Sequence, residues 1–159
     1  MPTVVTTVDI SAPAEAVASV LLDAESAPVW TAGLQRLEVV KGTVGEPGSV
    51  GLAHYEEGNR SYVLEDRLLS ATPNRSYVSE IAGGGLKARV ETTLEEVGSE
   101  TRMTVSWSGT GTNPITWAIL PFLRSRIAEQ SATDLAALRE LVEARWQDPT
   151  HPPYITGIL

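Results

Sequence analysis

From Val4 to Ile10 the chain alternates, with Val4, Thr6, Val8 and Ile10 on one side and Val5, Thr7 and Asp9 on the other. A period of two is that of a strand. Pro13 and Glu15 then suit the first turn of a helix, and Val17, Val20 and Leu21 form its apolar stripe. A second short helix is predicted from Ser26, with Pro28 in its first turn, Trp30 near its end and Gly33 as its stop. From Leu34 to Gly109 short strands are separated by turn residues: Gly45-Glu-Pro-Gly48, Gly58-Asn59, Thr72-Pro73-Asn74, Gly83-Gly84-Gly85 and Gly98-Ser99. The clearest alternation puts Leu86, Ala88, Val90, Thr92 and Leu94 on one face, and Met103, Val105 and Trp107 on the matching face of the next strand.

After Asn113-Pro114 the period becomes helical. Leu120, Leu123, Ile127, Leu135, Leu138 and Val142 form a stripe with Ser131 in its polar gap, running to about Trp146 with a bend expected at Pro121. The order is strand, two short helices, six strands, long helix. This predicts an α+β fold in which a strongly curved antiparallel sheet of about seven strands wraps one long C-terminal helix. Residues 1–147 read as one domain and residues 148–159 as a proline-rich tail, with Pro149, Pro152 and Pro153 preventing continuation of the helix. The apolar end of that tail, Tyr154-Ile155-Thr-Gly-Ile158-Leu159, reads either as a segment that docks on its own domain or on a second copy, or as a frayed end.

Composition narrows the picture. A chain of 159 residues buries roughly 70% of its unfolded surface, enough for a core and a cavity together. There is no cysteine, so no disulfide and no thiolate chemistry. The net charge of -8 disfavours nucleic acid as a partner. No apolar run has the length of a membrane span, and the N-terminus has no signal-peptide pattern, so membrane insertion is not expected and a cytoplasmic location is.

Chemistry is sparse. His54 is the only histidine outside the tail and shares a strand face with Val50, Leu52 and Glu56. It reads either as a general base within a cavity, with Glu56 nearby, or as a polar residue near a strand end, exposed or singly hydrogen-bonded. His151 lies in the tail, and no histidine–carboxylate spacing suits a metal, so neither a metal nor another cofactor is expected. No Gly-x-Ser-x-Gly elbow is present. The glycine runs are turns, because none opens a helix after a parallel strand. Arg67, Glu80 and Arg89 are candidate buried anchors, with Arg89 on the polar face of its strand.

Several motifs, in order, carry a resemblance to a known family. They are Val8-Asp-Ile10-Ser-Ala-Pro13-Ala-Glu15-Ala-Val17, Asp23, Pro28-Val-Trp30, Gly45-Glu-Pro-Gly48-Ser, Thr72-Pro73-Asn74-Arg75, and Leu94 followed by Gly98-Ser-Glu-Thr101-Arg-Met-Thr-Val105. Together with the C-terminal helix they resemble the START/Bet v 1-like (SRPBCC) superfamily and its polyketide cyclase/dehydrase-type branch, from about Val4 to Trp146. The resemblance implies a helix-grip fold and a small hydrophobic, lipid- or polyketide-like ligand held between sheet and helix. For a catalytic member it implies cyclisation or dehydration of a polyketide-like chain. It also includes a chaperone-ATPase-activator branch, an interaction module without a ligand, and a homodimer is compatible with either. No acid/base pair is visible, so no catalytic residue is assigned. The candidate lining set is Trp30, His54, Tyr62, Tyr77, Met103, Trp107, Leu123 and Ile127.

Overall fold

A computed structural model describes residues 3–147. Either reading of the tail falls on residues 148–159, outside the described residues.

Strand β1 (Thr3–Ile10) leads into α1 (Ala14–Leu21) and α2 (Ala27–Trp30). Six strands follow: β2 (Leu34–Lys41), β3 (Val50–Glu57), β4 (Arg60–Thr72), β5 (Ser76–Gly83), β6 (Leu86–Val97) and β7 (Glu100–Gly111). The chain closes with α3 (Pro114–Gln147). The strands form one antiparallel sheet in the order β1-β7-β6-β5-β4-β3-β2. From β2 to β7 every neighbour in sequence is a neighbour in space, and β1 returns to pair with β7, placing the break in the sheet between β1 and β2. The α+β helix-grip arrangement expected from the sequence is thus the one observed.

Where alternation is clean, the strand limits match the reading of the sequence. Strand β4 is longer than the apolar pattern suggests, because its charged start is held by the register with β3 from Arg60 opposite Glu57 to Arg67 opposite Val50. Gly83 belongs to β5 and pairs with Leu86. A side chain there would collide with the Val63 carbonyl and Leu64 on the neighbouring strand, so only glycine fits.

One end of the inner face is a packed core. Ile10, Tyr77, Leu94 and Met103 from the sheet meet Val17 and Val20 of α1 and Leu135, Leu138 and Val142 of α3. Polar contacts fix the helices over them. The Thr101 hydroxyl donates to the Ala12 carbonyl at 2.7 Å, and Arg145 donates to the Ser26 hydroxyl at 2.9 Å. The Asp134 carboxylate accepts from the Ala32 N–H at 3.1 Å and from Gln130 at 2.8 Å. These bonds tie α3 to both ends of α2.

The first half of α3 is different. Pro121 lies inside the helix, which leaves the Trp117 carbonyl without its i+4 donor. Thr116 and Leu120 are buried there, while Ile115, Trp117 and Phe122 are exposed.

Candidate functional site

Strand alternation and register define which side chains face α3. On β3 and β4 these are Gly51, Ala53, Tyr55, Tyr62, Leu64, Asp66 and Leu68, since Tyr55 pairs with Tyr62, Ala53 with Leu64, and Gly51 with Asp66. Packing of Ala53, Tyr55 and Leu64 with Ala27 and Leu34 confirms the side. On β5 to β7 the same face carries Tyr77, Ser79, Ile81, Leu86, Ala88, Val90, Met103, Val105 and Trp107. The end of this face under the first half of α3 is not closed. Tyr62, Leu64, Ile81, Leu86, Val90 and Trp107 all point inward yet are only half-buried, as are Leu123 and Ile127 on the helix above.

Tyr55 and Tyr62 stack across β3 and β4 with ring centroids 5.1 Å apart and planes 7° from parallel. Burial is the main reason both phenols titrate above their usual range, reinforced for Tyr55 by Tyr62, Asp134, Asp66 and Glu57, and for Tyr62 by Glu57. Both therefore remain neutral at ordinary pH. The Trp107 ring lies along its own strand over Gly109, where any side chain would overlap it. Glycine at 109 thus permits a flat aromatic wall. The Trp30 indole N–H is buried without a hydrogen-bond partner among the described residues, an unsatisfied donor beside the core.

The remaining sequence candidates lie elsewhere. Tyr77 and Met103 are buried in the packed core, and the Tyr77 hydroxyl accepts the Asn74 N–H at 3.0 Å. His54 is on the opposite face of β3 from Tyr55. It bonds Glu38 at 3.1 Å rather than Glu56, because Glu38 faces the same way on the adjoining strand. With Arg36, Tyr55, Glu56, Tyr62 and Val63 it borders a shallow surface depression of about 270 Å³ at the edge of the tyrosine stack. Arg67, Glu80 and Arg89 are no buried anchors: they are surface residues in ion pairs with Glu65, Lys87 and Glu91. Among the described residues no three histidine or carboxylate side chains gather as a metal-ligand group.

One inward residue was not a candidate. Asp66 lines a pocket of about 110 Å³ between the end of α1, the β2–β3 loop and the sheet. Burial raises its carboxyl from 3.8 to about 6, against a smaller opposing effect of the Ser79 hydrogen bond. No ion-pair partner faces it among the described residues. In sequence it is hidden inside Glu65-Asp66-Arg67, which reads as a solvated run. The signal that would have found it is the pairing of Asp66 with Gly51, a position on the face of Ala53 and Tyr55.

A curved sheet gripping one long helix, with an inward face that is mostly apolar and only partly covered, defines a helix-grip domain. The chain belongs to the family described as polyketide cyclase / dehydrase and lipid transport, whose model matches residues 1–143. Solved structures of the same fold include an aromatase/cyclase from Streptomyces sp. R1128, at 17% identity and TM-score 0.72 over 91% of this chain and 95% of that one. A START superfamily protein from Mycobacterium smegmatis is similar at 18% identity and TM-score 0.71, over 89% and 97%. A protein from Thermus thermophilus is similar at 20% identity and TM-score 0.71, over 90% and 98%. No curated protein matches the chain in sequence. At these identities the structural likeness speaks for the fold. Among the described residues no helix is long and apolar enough to cross a membrane.

Proposed function

We propose that the protein binds a small hydrophobic, lipid- or polyketide-like molecule between the sheet and the first half of α3. The observation that carries this reading is the burial of one face. Leu64, Ile81, Leu86, Val90, Trp107, Leu123 and Ile127 point inward, where apolar side chains are normally covered, and each keeps part of its surface accessible. A ligand lying there would be sandwiched between Trp107, the Tyr55–Tyr62 stack and the helix. The family and the aromatase/cyclase fold relative support a ligand of this class. The site offers a surface for holding a flexible chain in one shape, and binding rather than bond-making is the activity assigned to it.

The test is native mass spectrometry of the protein after incubation with an extract of its source cells. An apolar species of small mass retained by the folded protein is expected. Recovery of the bare polypeptide from every extract would remove the reading.

A second property rests on a separate observation. Ile115 and Phe122 are each 77% exposed on α3, and we propose that these exposed apolar side chains form part of a homodimer surface. Light scattering coupled to size exclusion tests it, and a monomer at high concentration would exclude it.

A further inference from the structure

We propose that the pocket at Asp66 is the hydroxyl-recognising end of the ligand site, with the Asp66 carboxylate accepting a hydrogen bond from an alcohol or phenol on an otherwise apolar ligand and turning away ligands that end in a carboxylate. This rests on the ligand-cavity reading above and gives it a substrate class.

The pocket is built for an apolar body. Leu21 and Leu22 at the end of α1, Leu37 and Val39 on β2, and Leu68 on β4 supply its walls. Asp66, Ser49 and Ser79 are the side chains in it that carry polar atoms. Across the ladder Asp66 is opposite Gly51 on one side and Ile81 on the other. Neither neighbour brings a polar side chain. Glycine at 51 matters for space, since a Cβ there would press against the Leu37 side chain at 3.1 Å.

A carboxylate offers about four lone-pair sites. Ser79 is the neighbouring hydroxyl placed to share one of them, and no cation neutralises the rest among the described residues. An apolar pocket holding a carboxylate with spare acceptor capacity discriminates sharply. It rewards a ligand that brings a donor, because hydrogen bonds to charged groups are the strong ones. It penalises a second anion, because like charges at low dielectric repel. Asp66 is also one same-face position from Leu64 along β4, and the same face of that strand leads on to Tyr62, which stacks on Tyr55. A hydroxyl held at Asp66 therefore places the apolar remainder of the ligand toward the aromatic wall.

The experiment uses three intrinsically fluorescent probes with one ring system and the full-length chain at pH 8, where Asp66 is ionised: 2-naphthol, 2-methoxynaphthalene and 2-naphthoate. The wild type is expected to bind 2-naphthol about tenfold more tightly than the methyl ether, which has the same oxygen but no donor, and to bind 2-naphthoate most weakly. In Asp66→Asn and Asp66→Ala the naphthol-to-ether ratio should fall toward one, and 2-naphthoate should gain affinity. Wild-type ratios preserved in both variants, or naphthol and ether bound equally by the wild type, would overturn the proposal while leaving the cavity intact. A wild type that binds none of the three probes overturns the cavity reading itself, and this inference with it, so the two failures are told apart.

Discussion

Along α3, Leu120, Leu135, Leu138 and Val142 are buried, while Leu123 and Ile127, between them on the same stripe, keep part of their surface. The sheet beneath shows a similar contrast: Ile10, Leu94 and Met103 are covered, while Leu86, Val90 and Trp107, around the buried Ala88, are only partly so. The cause is what lies beside the helix. At one end α1 inserts a small-residue face, with Ala14, Ala16, Val17, Ala18 and Val20 all buried, into the angle between sheet and helix. At the other end, among the described residues, α2 contributes Ala27 over Ala53, Tyr55 and Leu64, and over β5, β6 and β7 no second helix wedges in beside α3. A single helix does not cover the width of a seven-stranded sheet, so apolar surface is left over. At about 25 cal/mol per Å² of apolar surface removed from water, that uncovered face is binding energy still available to a ligand. The packed end supplies the stability on which this depends.

Substitutions along one stripe are the strongest way to break the comparison. Leu138→Asp would bury an unpaired charge against α1 and the sheet, and loss of cooperative unfolding is expected. Retained cooperative melting would show that the packed end is not a core. Leu138→Ala should cost about 3 kcal/mol, and Leu123→Ala less than about 1.5 kcal/mol, because a partly solvated site leaves little cavity behind. Equal losses in chemical denaturation would erase the distinction between the two ends.

The packed end was legible in the sequence and the open end only partly so. Clean alternation in β6 and β7 and the helical stripe placed Met103, Trp107 and Leu138 on the inner face. Alternation cannot distinguish a residue facing inward under cover from one facing inward beside a void, so Met103 and Trp107 looked alike. Strand β4 was harder. It carries charge on both faces through Glu65-Asp66-Arg67, and its register with β5 shifts between Leu68 and Ser70. That bulge brings Leu68 and Ala71, an odd number of positions apart, into the same core. Parity alone therefore misplaces half the strand. The outward His54 has a similar origin: its true partner, Glu38, comes from a neighbouring strand, and such a pairing is set by register.

Asp66 sharpens the comparison through pH. Its folded-state carboxyl holds its proton more tightly than an unfolded one, with the value moved from 3.8 to about 6 by burial. The sign is therefore destabilising for the charged form. The fold bears no penalty below about pH 4, and stability is lost as pH rises through about 6. Asp66→Asn, which keeps an acceptor for Ser79, should raise stability at pH 8 by about 2 kcal/mol. That gain should vanish at pH 4. Denaturation curves of both proteins at the two pH values check this. A gain independent of pH would mean that the carboxylate is solvated and that the pocket is wetter than its walls suggest.

The smallest expected effect on stability is at Trp107, where the readout is optical. Trp107 lies on the open half, with its ring flat over Gly109. The other tryptophans are placed differently: Trp30 packs against the core, Trp117 is half-exposed on α3, and Trp146 is near the helix end. Only Trp107 combines an inward direction with surface accessible from the proposed cavity. Binding of an apolar aromatic probe should therefore quench or shift a component of the emission that is absent in Trp107→Phe. That variant keeps an aromatic ring and should lose less than about 1.5 kcal/mol of stability. Gly109→Ala gives an independent check, since the added methyl must lift the Trp107 ring off the strand and should change its emission even before a probe is added. If Trp107→Phe retains the whole probe-dependent signal, the bound molecule does not touch this wall. The ligand would then have to lie elsewhere on the inner face, nearer the Tyr55–Tyr62 stack.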